Sequence, residues 1–317
     1  MRVKSRFALL AAATLAVTTT TVQAAPVFIN ILTGGTSGVY YPIGVGLSQI
    51  YSDGIPGVKT SVQATKASVE NLNLVQAGRG ELALALGDSV ADAKNGVEDA
   101  GFKAPLTKLR AIAAAYPNYI QIVANKESGI KTLADLKGKS ISVGAPKSGT
   151  ELNARAIFKA AGLTYEDMGS VQYLPFAESV ELIKNRQLDA TLQSSGLGMA
   201  AIRDLSSVMP LNYVSIPTDV VAKIGNPAYQ SAMIPANTYD GQAEAVPTVA
   251  IINILVTSAD VPEEVAYQMT RLLFENLARL GNSHSAAKDI TLENAGKNLP
   301  IALHSGAERY YKEKGAL

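Results

Sequence analysis

The sequence contains no cysteine, no tryptophan and only two histidines among its 317 residues. Without cysteine, the chain cannot form a disulfide, use a thiol nucleophile, hold an iron–sulfur cluster or bind zinc through thiolates. Two histidines leave little material for a histidine-rich metal site. The missing tryptophan makes a sugar ligand less attractive, because indole is the usual stacking platform for a pyranose ring. We therefore expect neither a metal nor any other cofactor.

The charge of the chain is almost balanced, with 28 basic and 27 acidic side chains. Proteins that bind nucleic acid normally present a basic face, so this balance argues against a nucleic-acid partner. Hydrophobic residues make up 47% of the chain and charged residues 17%, which supplies a sizeable core and excludes a disordered chain. The length predicts about two domains.

Residues 1–24 have the pattern of a secretory signal peptide. A basic start with Arg2, Lys4 and Arg6 precedes an apolar run that is too short for a membrane anchor. We predict cleavage after Ala24, where small residues occupy the positions before the cut, and a periplasmic mature protein. Cleavage removes three basic side chains and no acidic one, so the mature chain is slightly acidic.

Apolar runs that predict buried β-strands alternate with helical patterns along most of the chain, as is typical of an α/β protein with a parallel sheet. The patterns predict strands at 27–32, 58–64, 82–86, 140–143, 171–173, 188–193 and 249–256, and helices at 39–51, 68–77, 150–161, 177–184 and 260–280. Residues 260–263 have the spacing of a capping box at the start of the last helix.

The alternation restarts after Tyr116-Pro117, which indicates two similar lobes. We predict that lobe 1 comprises residues 25–115 and 247–317 and that lobe 2 comprises residues 116–246. Hinge crossings are expected near 113–120 and 235–248. The segment 228–247 is rich in Pro, Gly, Asn and Tyr and is interpreted as the return crossing between the lobes.

Two glycine-containing loops each join the end of a predicted strand to the start of a predicted helix. Glycine lets a backbone come close to a ligand, and a helix N-terminus offers unpaired N–H groups with a partial positive charge. Such loops also occur as plain turns and helix caps, and Ser148 and Glu151 have capping-box spacing. If both loops face one cleft, they can bind an anion from two sides. The candidate residues are Thr33, Gly34, Gly35, Thr36, Ser37 and Gly38 in the first loop, and Ser148, Gly149 and Thr150 in the second.

Single polar residues at strand ends and helix starts complete the candidate site. Asp88 follows a predicted strand and could point into a cleft, with a helix N-cap as the alternative. Gln193 and Ser194 end a predicted strand, where α/β proteins place ligands. Tyr40 and Tyr41 could offer a ring face and a hydroxyl group to a ligand, or they could pack in the core.

Catalytic and nucleotide-binding motifs are absent or incomplete in the sequence. Neither Gly-x-Ser-x-Gly nor His-Glu-x-x-His occurs, and the P-loop-like spacing at 144–149 lacks its Lys-Ser/Thr pair. His284 and His304 lie in polar helical surroundings and are interpreted as structural or surface residues. A secreted hydrolase or transferase on the same scaffold therefore has no histidine partner for a serine nucleophile.

A series of short motifs runs through the whole predicted mature chain in one order. The series comprises residues 33–42, Ala64-Thr65 with 68–72, 136–139 with Val143-Gly144, Ser148-Gly149-Thr150, Leu188-Asp189-Ala190, 234–236 with Tyr239, 246–249, 274–277, and 304–307 with Tyr310-Tyr311. In these motifs the chain resembles the TAXI family of solute-binding proteins, which serve tripartite ATP-independent periplasmic (TRAP) transporters.

The resemblance implies an α/β protein with the type 2 periplasmic-binding-protein fold, in which a ligand cleft lies between two α/β lobes. It implies a protein that captures a small anionic solute and delivers it to the membrane subunit of a TRAP permease. We expect the protein to be a monomer. The expected solute is a glutamate-like amino acid or a C4 or C5 dicarboxylate such as 2-oxoglutarate. The resemblance places the loop from Thr33 to Gly38, Tyr40 or Tyr41, the run from Ser148 to Thr150, and Thr248 at the cleft.

The chain departs from the family pattern close to the expected cleft. Residues 191–195 lack the aromatic or larger side chains that relatives commonly have there, and residues 196–198 lack a proline. An alternative function keeps the same cleft but changes the partner: a sensor protein that presents its ligand to a membrane receptor. Binding without turnover separates both of these hypotheses from a secreted enzyme.

Overall fold

A ten-stranded mixed β-sheet forms the centre of the protein in the computed structural model, which describes residues 27–317. The predicted signal peptide 1–24 lies outside the described residues. The strands are β1 Phe28–Leu32, β2 Lys59–Gln63, β3 Leu82–Leu86, β4 Leu109–Asn125, β5 Ser140–Ser142, β6 Ser170–Gln172, β7 Ala190–Ser195, β8 Leu211–Val214, β9 Gln230–Ile234 and β10 Val246–Ser258. The α-helices are α1 Tyr40–Gly54, α2 Ser68–Gln76, α3 Gly87–Asn95, α4 Gly149–Ala160, α5 Phe176–Lys184, α6 Ala200–Val208, α7 Thr218–Ile224, α8 Glu263–Glu275, α9 Leu277–Ser283, α10 Leu292–Ala295 and α11 Ser305–Glu313.

Both halves of the sheet repeat one strand order. The order is β2-β1-β3-β10 in the first half and β6-β5-β7-β4 in the second half. In each half the middle strand, β1 or β5, is parallel to both of its neighbours, and the fourth strand is antiparallel. The strand that follows β1 or β5 in the sequence therefore pairs on one side of it, and the next strand after that pairs on its other side. Such a switch point opens a crevice at the carboxyl ends of the strands, where α/β proteins bind ligands.

Two long strands join the halves. β4 has 17 residues and β10 has 13, and the two pair with each other in antiparallel orientation. β4 runs through Tyr116 and Pro117 without a break, whereas the sequence pattern predicted a restart there. The register with β10 shifts between Ile252 and Ile254, opposite this pair, so a bulge accommodates a proline that cannot donate a ladder hydrogen bond. The predicted lobe boundaries fall on these two strands and stay predictions.

Most predicted strands and helices are present within a few residues of their expected bounds. The segment 228–247, interpreted as a return crossing, contains a strand that was not predicted, β9, which pairs with the start of β10. Two other predictions were wrong. The last long helix is two helices, α8 and α9, which meet at Asn276. The capping box at 260–263 is also absent: Pro262 is the N-cap, and the Asp260 carboxylate lies 2.6 Å from Lys108 Nζ instead.

Three clusters of buried apolar side chains fix the helices to the sheet. One fills the second half between β5, β7 and α4, with Ile141, Phe158 and Leu192 fully buried. Of the other two, one lies on the first half and the long strands, and one extends from the first half across the long strands to α5 and α6 of the second half. Burial of one such side chain contributes about 1.5–3 kcal/mol, so these clusters hold the strand ends in place. Within residues 27–317, no helix combines the length and hydropathy that crossing a membrane requires.

His304 caps the N-terminus of α11 and ties it to the chain before α8. Its Nδ1 accepts a hydrogen bond from Gly306 N at 3.2 Å, and its Nε2 lies 3.0 Å from the Val261 carbonyl oxygen. A Cβ on Gly306 would lie 2.2 Å from the Glu263 carbonyl oxygen, so α11 packs against α8 at a distance that only glycine allows. Because this geometry needs an unprotonated Nδ1, the predicted structural role of His304 takes the specific form of a helix cap.

Replacement of His304 tests this cap. Burial lowers the pKa of His304 below its usual value of 6.5. Its contribution to stability is therefore complete above about pH 6.5 and is lost as the pH falls through the folded-state pKa. We expect His304→Ala to cost about 1 kcal/mol in urea unfolding at about pH 7.5 and less at about pH 5. His304→Asn, which can also cap a helix, should retain part of this stability; equal losses for both variants at both pH values would contradict the cap.

Candidate functional site

A pocket of about 90 Å³ lies between the two halves of the sheet, at the carboxyl ends of the parallel strands. The first half contributes Gly34, Gly35, Gly38, Val39, Tyr40, Thr65, Lys66, Ala67, Ser68 and Leu86 to its wall. The second half contributes Asn118, Ala145, Ser148, Thr150, Pro175, Phe176, Ser194 and Ser195. The wall thus combines residues that lie far apart in the sequence, in the crevice that the strand order predicts.

Four helices begin at this pocket. α1 and α2 start there from the first half, and α4 and α5 start there from the second half. The first-turn N–H groups of a helix have no partner within the helix, and together with the helix dipole they favour a negative charge. The geometry therefore concentrates hydrogen-bond donors and partial positive charge on one small volume, which is the arrangement that binds carboxylates and phosphates.

Three of these four helices have no side-chain cap. Val39, Ala67 and Pro175 are the N-caps of α1, α2 and α5, and none offers a side-chain acceptor to the first turn. Only α4 is capped, because Ser148 Oγ accepts a hydrogen bond from Glu151 N at 3.2 Å. A helix N-terminus without such an acceptor needs water or a ligand for its donors.

The described residues that line the pocket include one charged side chain, Lys66, and no carboxylate. None of the acidic residues in the first turns of α2, α4 and α5, which are Glu70, Glu151 and Glu178, lines the pocket. Glu70 accepts a hydrogen bond from Lys66 N at 2.8 Å, and Glu151 pairs with Arg155 at 2.6 Å. Burial raises the pKa of the Tyr40 hydroxyl, so this residue is neutral. The electrostatics of the wall therefore favour an anion.

A chain of hydrogen bonds forms the floor of the pocket. Asn118 and Ser194 both line the pocket, and Asn118 Nδ2 donates to Ser194 Oγ at 3.3 Å. Behind them, Asn253 Nδ2 donates to Asn118 Oδ1 at 3.1 Å, and the Tyr40 hydroxyl donates to Asn253 Oδ1 at 2.5 Å. This series of hydrogen bonds connects α1 in the first half to β7 in the second half through the two long strands.

The structure brings about half of the predicted site residues to the pocket. Those that line it are Gly34, Gly35, Gly38, Tyr40, Ser148, Thr150 and Ser194. Those that do not are Thr33, Thr36, Ser37, Tyr41, Asp88, Gly149, Gln193 and Thr248. Their ligand-binding role finds no support in the pocket geometry.

The side chains outside the pocket have other partners. Thr33 Oγ1 donates to the Gln63 carbonyl oxygen at 2.8 Å, and Thr248 Oγ1 donates to the Ile120 carbonyl oxygen. The fully buried Gln193 reaches the Phe176 carbonyl oxygen at 3.5 Å. These three side chains fix the backbone around the pocket, whereas Ser37 accepts a hydrogen bond from Ala201 N through its carbonyl oxygen.

Asp88 joins the two halves of the molecule and does not face the pocket. Its carboxylate accepts hydrogen bonds from Tyr229 Oη at 2.7 Å and Asn153 Nδ2 at 2.8 Å, both in the second half, and from Ser89 N at 2.7 Å. Burial raises the pKa of the Asp88 carboxyl, and these donors partly offset that effect. Asp88 is also not an N-cap, since α3 begins at Gly87. Its place in the first turn directs its carboxylate toward α4.

Several wall residues were not among the predicted ones. Asn118 lies on a crossing strand, Ser195 ends β7, and Ser68 and Phe176 open α2 and α5. Lys66 precedes α2 in a loop that the sequence did not mark. A rule that marks every residue at the end of a strand or the start of a helix would have found Ser195, Ser68 and Phe176. It would not have found Asn118, which lies within a strand.

Neither histidine lies at the pocket. His284 Nδ1 accepts a hydrogen bond from Ala286 N at 3.2 Å, so His284 caps a short turn much as His304 caps α11. The candidate serines at the pocket therefore have no histidine beside them in the described part of the chain. Across residues 27–317, no group of three or more His, Asp or Glu side chains is arranged to hold a metal ion.

Solved structures with the same architecture define the class of this fold. A binding protein component of an ABC phosphonate transporter from Pseudomonas aeruginosa is similar with a TM-score of 0.54 and 12% identity, over 84% of this chain and 80% of that one. A Listeria monocytogenes protein provisionally named for an L-cystine ABC transporter has a TM-score of 0.50 and 13% identity, over 84% and 98%. The chain has the periplasmic-binding-protein fold, as its motifs implied.

The family follows from the sequence match. The model of the NMT1-like family matches residues 31–315, which is nearly all of the described chain. The protein belongs to the NMT1-like family. The match runs from β1 through α11 and so includes every strand and helix that borders the pocket.

Gly149 tests how closely the halves must approach at the pocket. A Cβ on Gly149 would lie 2.7 Å from both Leu86 Cδ1 and Ser68 Oγ, which belong to the other half. We expect Gly149→Ala to weaken binding of any ligand that the pocket encloses by on the order of tenfold, because the halves cannot fully approach. The measurement is calorimetric titration with the tightest ligand found for the unmodified protein.

Gly281→Ala is the matched control for this test. Gly281 also lies in a helix, but its added Cβ would have only the Lys288 side chain nearby, at 3.5 Å. This variant should bind like the unmodified protein. Unchanged affinity for Gly149→Ala would show that contact between the halves at this point does not matter for binding.

Proposed function

We propose that the protein is a periplasmic solute-binding protein that encloses a small carboxylate in the pocket and delivers it to a membrane permease. The observation that carries the proposal is the meeting of four helix N-termini, three of them without a side-chain cap, around a pocket whose wall has no carboxylate. A hydrogen bond to a charged acceptor contributes about 1.5–3 kcal/mol, so a few such donors suffice for tight binding.

The composition of the wall also favours ligands without an ammonium group over ligands that carry one. No described side chain at the pocket offers a carboxylate to an ammonium group. Lys66 would repel one, although its exposure weakens this effect. We therefore expect C4 and C5 dicarboxylates and 2-oxo acids to bind more tightly than glutamate.

Release of the ligand requires the two halves to separate. In the described conformation they touch on both sides of the pocket: Val39 N donates to Ser195 Oγ at 3.2 Å, and Asp88 is held by Tyr229. A ligand that contacts both halves would stabilise this closed form and leave an open form when it dissociates. The predicted lobes, with hinges near 113–120 and 235–248 on or next to β4 and β10, would move in this way.

The kind of permease is part of the proposal. The solved neighbours named above are described as parts of ABC transporters, which hydrolyse ATP. The motif series of this chain instead resembles the TAXI proteins of TRAP transporters, which an ion gradient drives. We propose a TRAP permease as the partner. Uptake in reconstituted vesicles should then follow an imposed ion gradient without ATP, and uptake that depends on ATP hydrolysis would contradict this assignment.

A thermal-shift panel on residues 25–317 tests the ligand class. A bound ligand stabilises the folded state by RT ln(1 + [L]/Kd), about 2.7 kcal/mol at a hundredfold excess over Kd. We expect succinate, 2-oxoglutarate or a close relative to raise the melting temperature, glutamate to raise it less, and neutral sugars to have no effect. A shift caused only by neutral sugars would contradict an anion pocket.

Lys66→Gln distinguishes the contribution of the helix N-termini to carboxylate affinity from that of Lys66, the one charged side chain at the pocket. An exposed charge contributes about 0–1 kcal/mol, so the variant should lose no more than about fivefold in carboxylate affinity. Abolished binding would mean that Lys66, and not the backbone donors, holds the anion. Turnover of any ligand in the panel would contradict a binding protein.

A further inference from the structure

Asn253 lies behind the floor of the pocket and does not line it. It is fully buried on β10, within the register shift between Ile252 and Ile254. A bulge re-aims a side chain out of the regular alternation of a strand. Here the side-chain amide of Asn253 contacts Tyr40, the Tyr116 carbonyl oxygen and Asn118. Asn253 therefore touches the pocket wall from behind at two points.

The orientation of two amide groups follows from one backbone carbonyl. A carbonyl oxygen can only accept, so the Asn253 atom 2.8 Å from the Tyr116 oxygen must be the donor Nδ2. The same Nδ2 lies 3.1 Å from the Asn118 side-chain amide, whose facing atom must then be the acceptor Oδ1. Asn118 Nδ2 is consequently the atom directed at Ser194.

We propose that Asn253 is a positioning residue that sets the hydrogen-bonding polarity of the pocket floor. It binds Asn118 Oδ1 on the side away from the pocket. The Asn118 amide N–H groups are therefore turned toward Ser194 and the pocket. Ser194 Oγ, which accepts from Asn118, keeps its own hydrogen for a ligand. The floor then presents these donors to the ligand and favours a carboxylate oxygen over the N–H₂ end of an isosteric amide. The inference rests on the proposed function, since it assumes that the ligand is a carboxylate.

Asn253→Leu tests this role, because leucine has a similar size and no hydrogen-bonding group. Without its partner, the Asn118 amide can rotate, and the serine hydroxyl accommodates either orientation because it can donate or accept. The probes are succinate and its monoamide, succinamate, titrated by calorimetry. We expect the ratio of succinate to succinamate affinity to fall by on the order of tenfold in this variant. A general loosening of the fold would lower both affinities and leave the ratio unchanged.

Thr257→Val is the matched control on the same strand. Thr257 is also fully buried, and its Oγ1 donates to the Glu81 carbonyl oxygen at 2.6 Å, away from the pocket. This variant should keep the ratio of the unmodified protein. A ratio within twofold of the unmodified protein for Asn253→Leu would overturn the proposal.

A second measurement needs no ligand. In the unmodified protein, the Asn118 side-chain N–H₂ protons should show a nuclear Overhauser effect to the Ser194 β-protons, and the effect should weaken in Asn253→Leu. If no carboxylate of the thermal-shift panel binds the unmodified protein, the proposed carboxylate function fails, and this NMR result still decides the orientation. An equal effect in both proteins would show that Asn253 does not control Asn118.

Discussion

Hydrogen-bond donors at helix N-termini are the constraint on which the rest of this structure depends. Each helix leaves its first-turn N–H groups without an internal partner, and burying such groups unpaired costs about 1–3 kcal/mol each. In this protein α1, α2, α4 and α5 all begin at one pocket, and only α4 has a side-chain cap. The free first-turn donors therefore call for an acceptor in the pocket, and the proposed anion would supply it.

The strand order places these donors together. In each half, the strands on either side of β1 or β5 follow it in the sequence, and the loops after β1 and β5 open toward the same crevice. The long antiparallel strands β4 and β10 hold the two halves face to face. They also carry Asn118, which lines the pocket floor, and Asn253, which lies behind it. The nearly balanced overall charge has little influence on this site, because the helix N-termini supply local donors and partial positive charge.

Local features of the site could be predicted from the sequence, and long-range ones could not. A strand, a glycine loop and a helix follow each other at 27–51 and again at 140–161, so both loops were found. Ser148, whose spacing to Glu151 allowed a cap, does cap α4. Asn118 reaches the pocket wall beside Ser194 only because β4 pairs with β7, a contact that no local pattern contains. Asp88 was placed in the cleft because it follows a strand, but α3 turns its carboxylate toward Asn153 and Tyr229.

A crystal structure with a bound dicarboxylate tests the central claim most directly. We expect one carboxylate to lie in the pocket with its oxygens within about 3.2 Å of first-turn N–H groups from helices of both halves. We also expect no acidic side chain in contact with the ligand. A carboxylate held by Lys66 alone, or bound outside the pocket while the helix N-termini keep only water, would contradict the account.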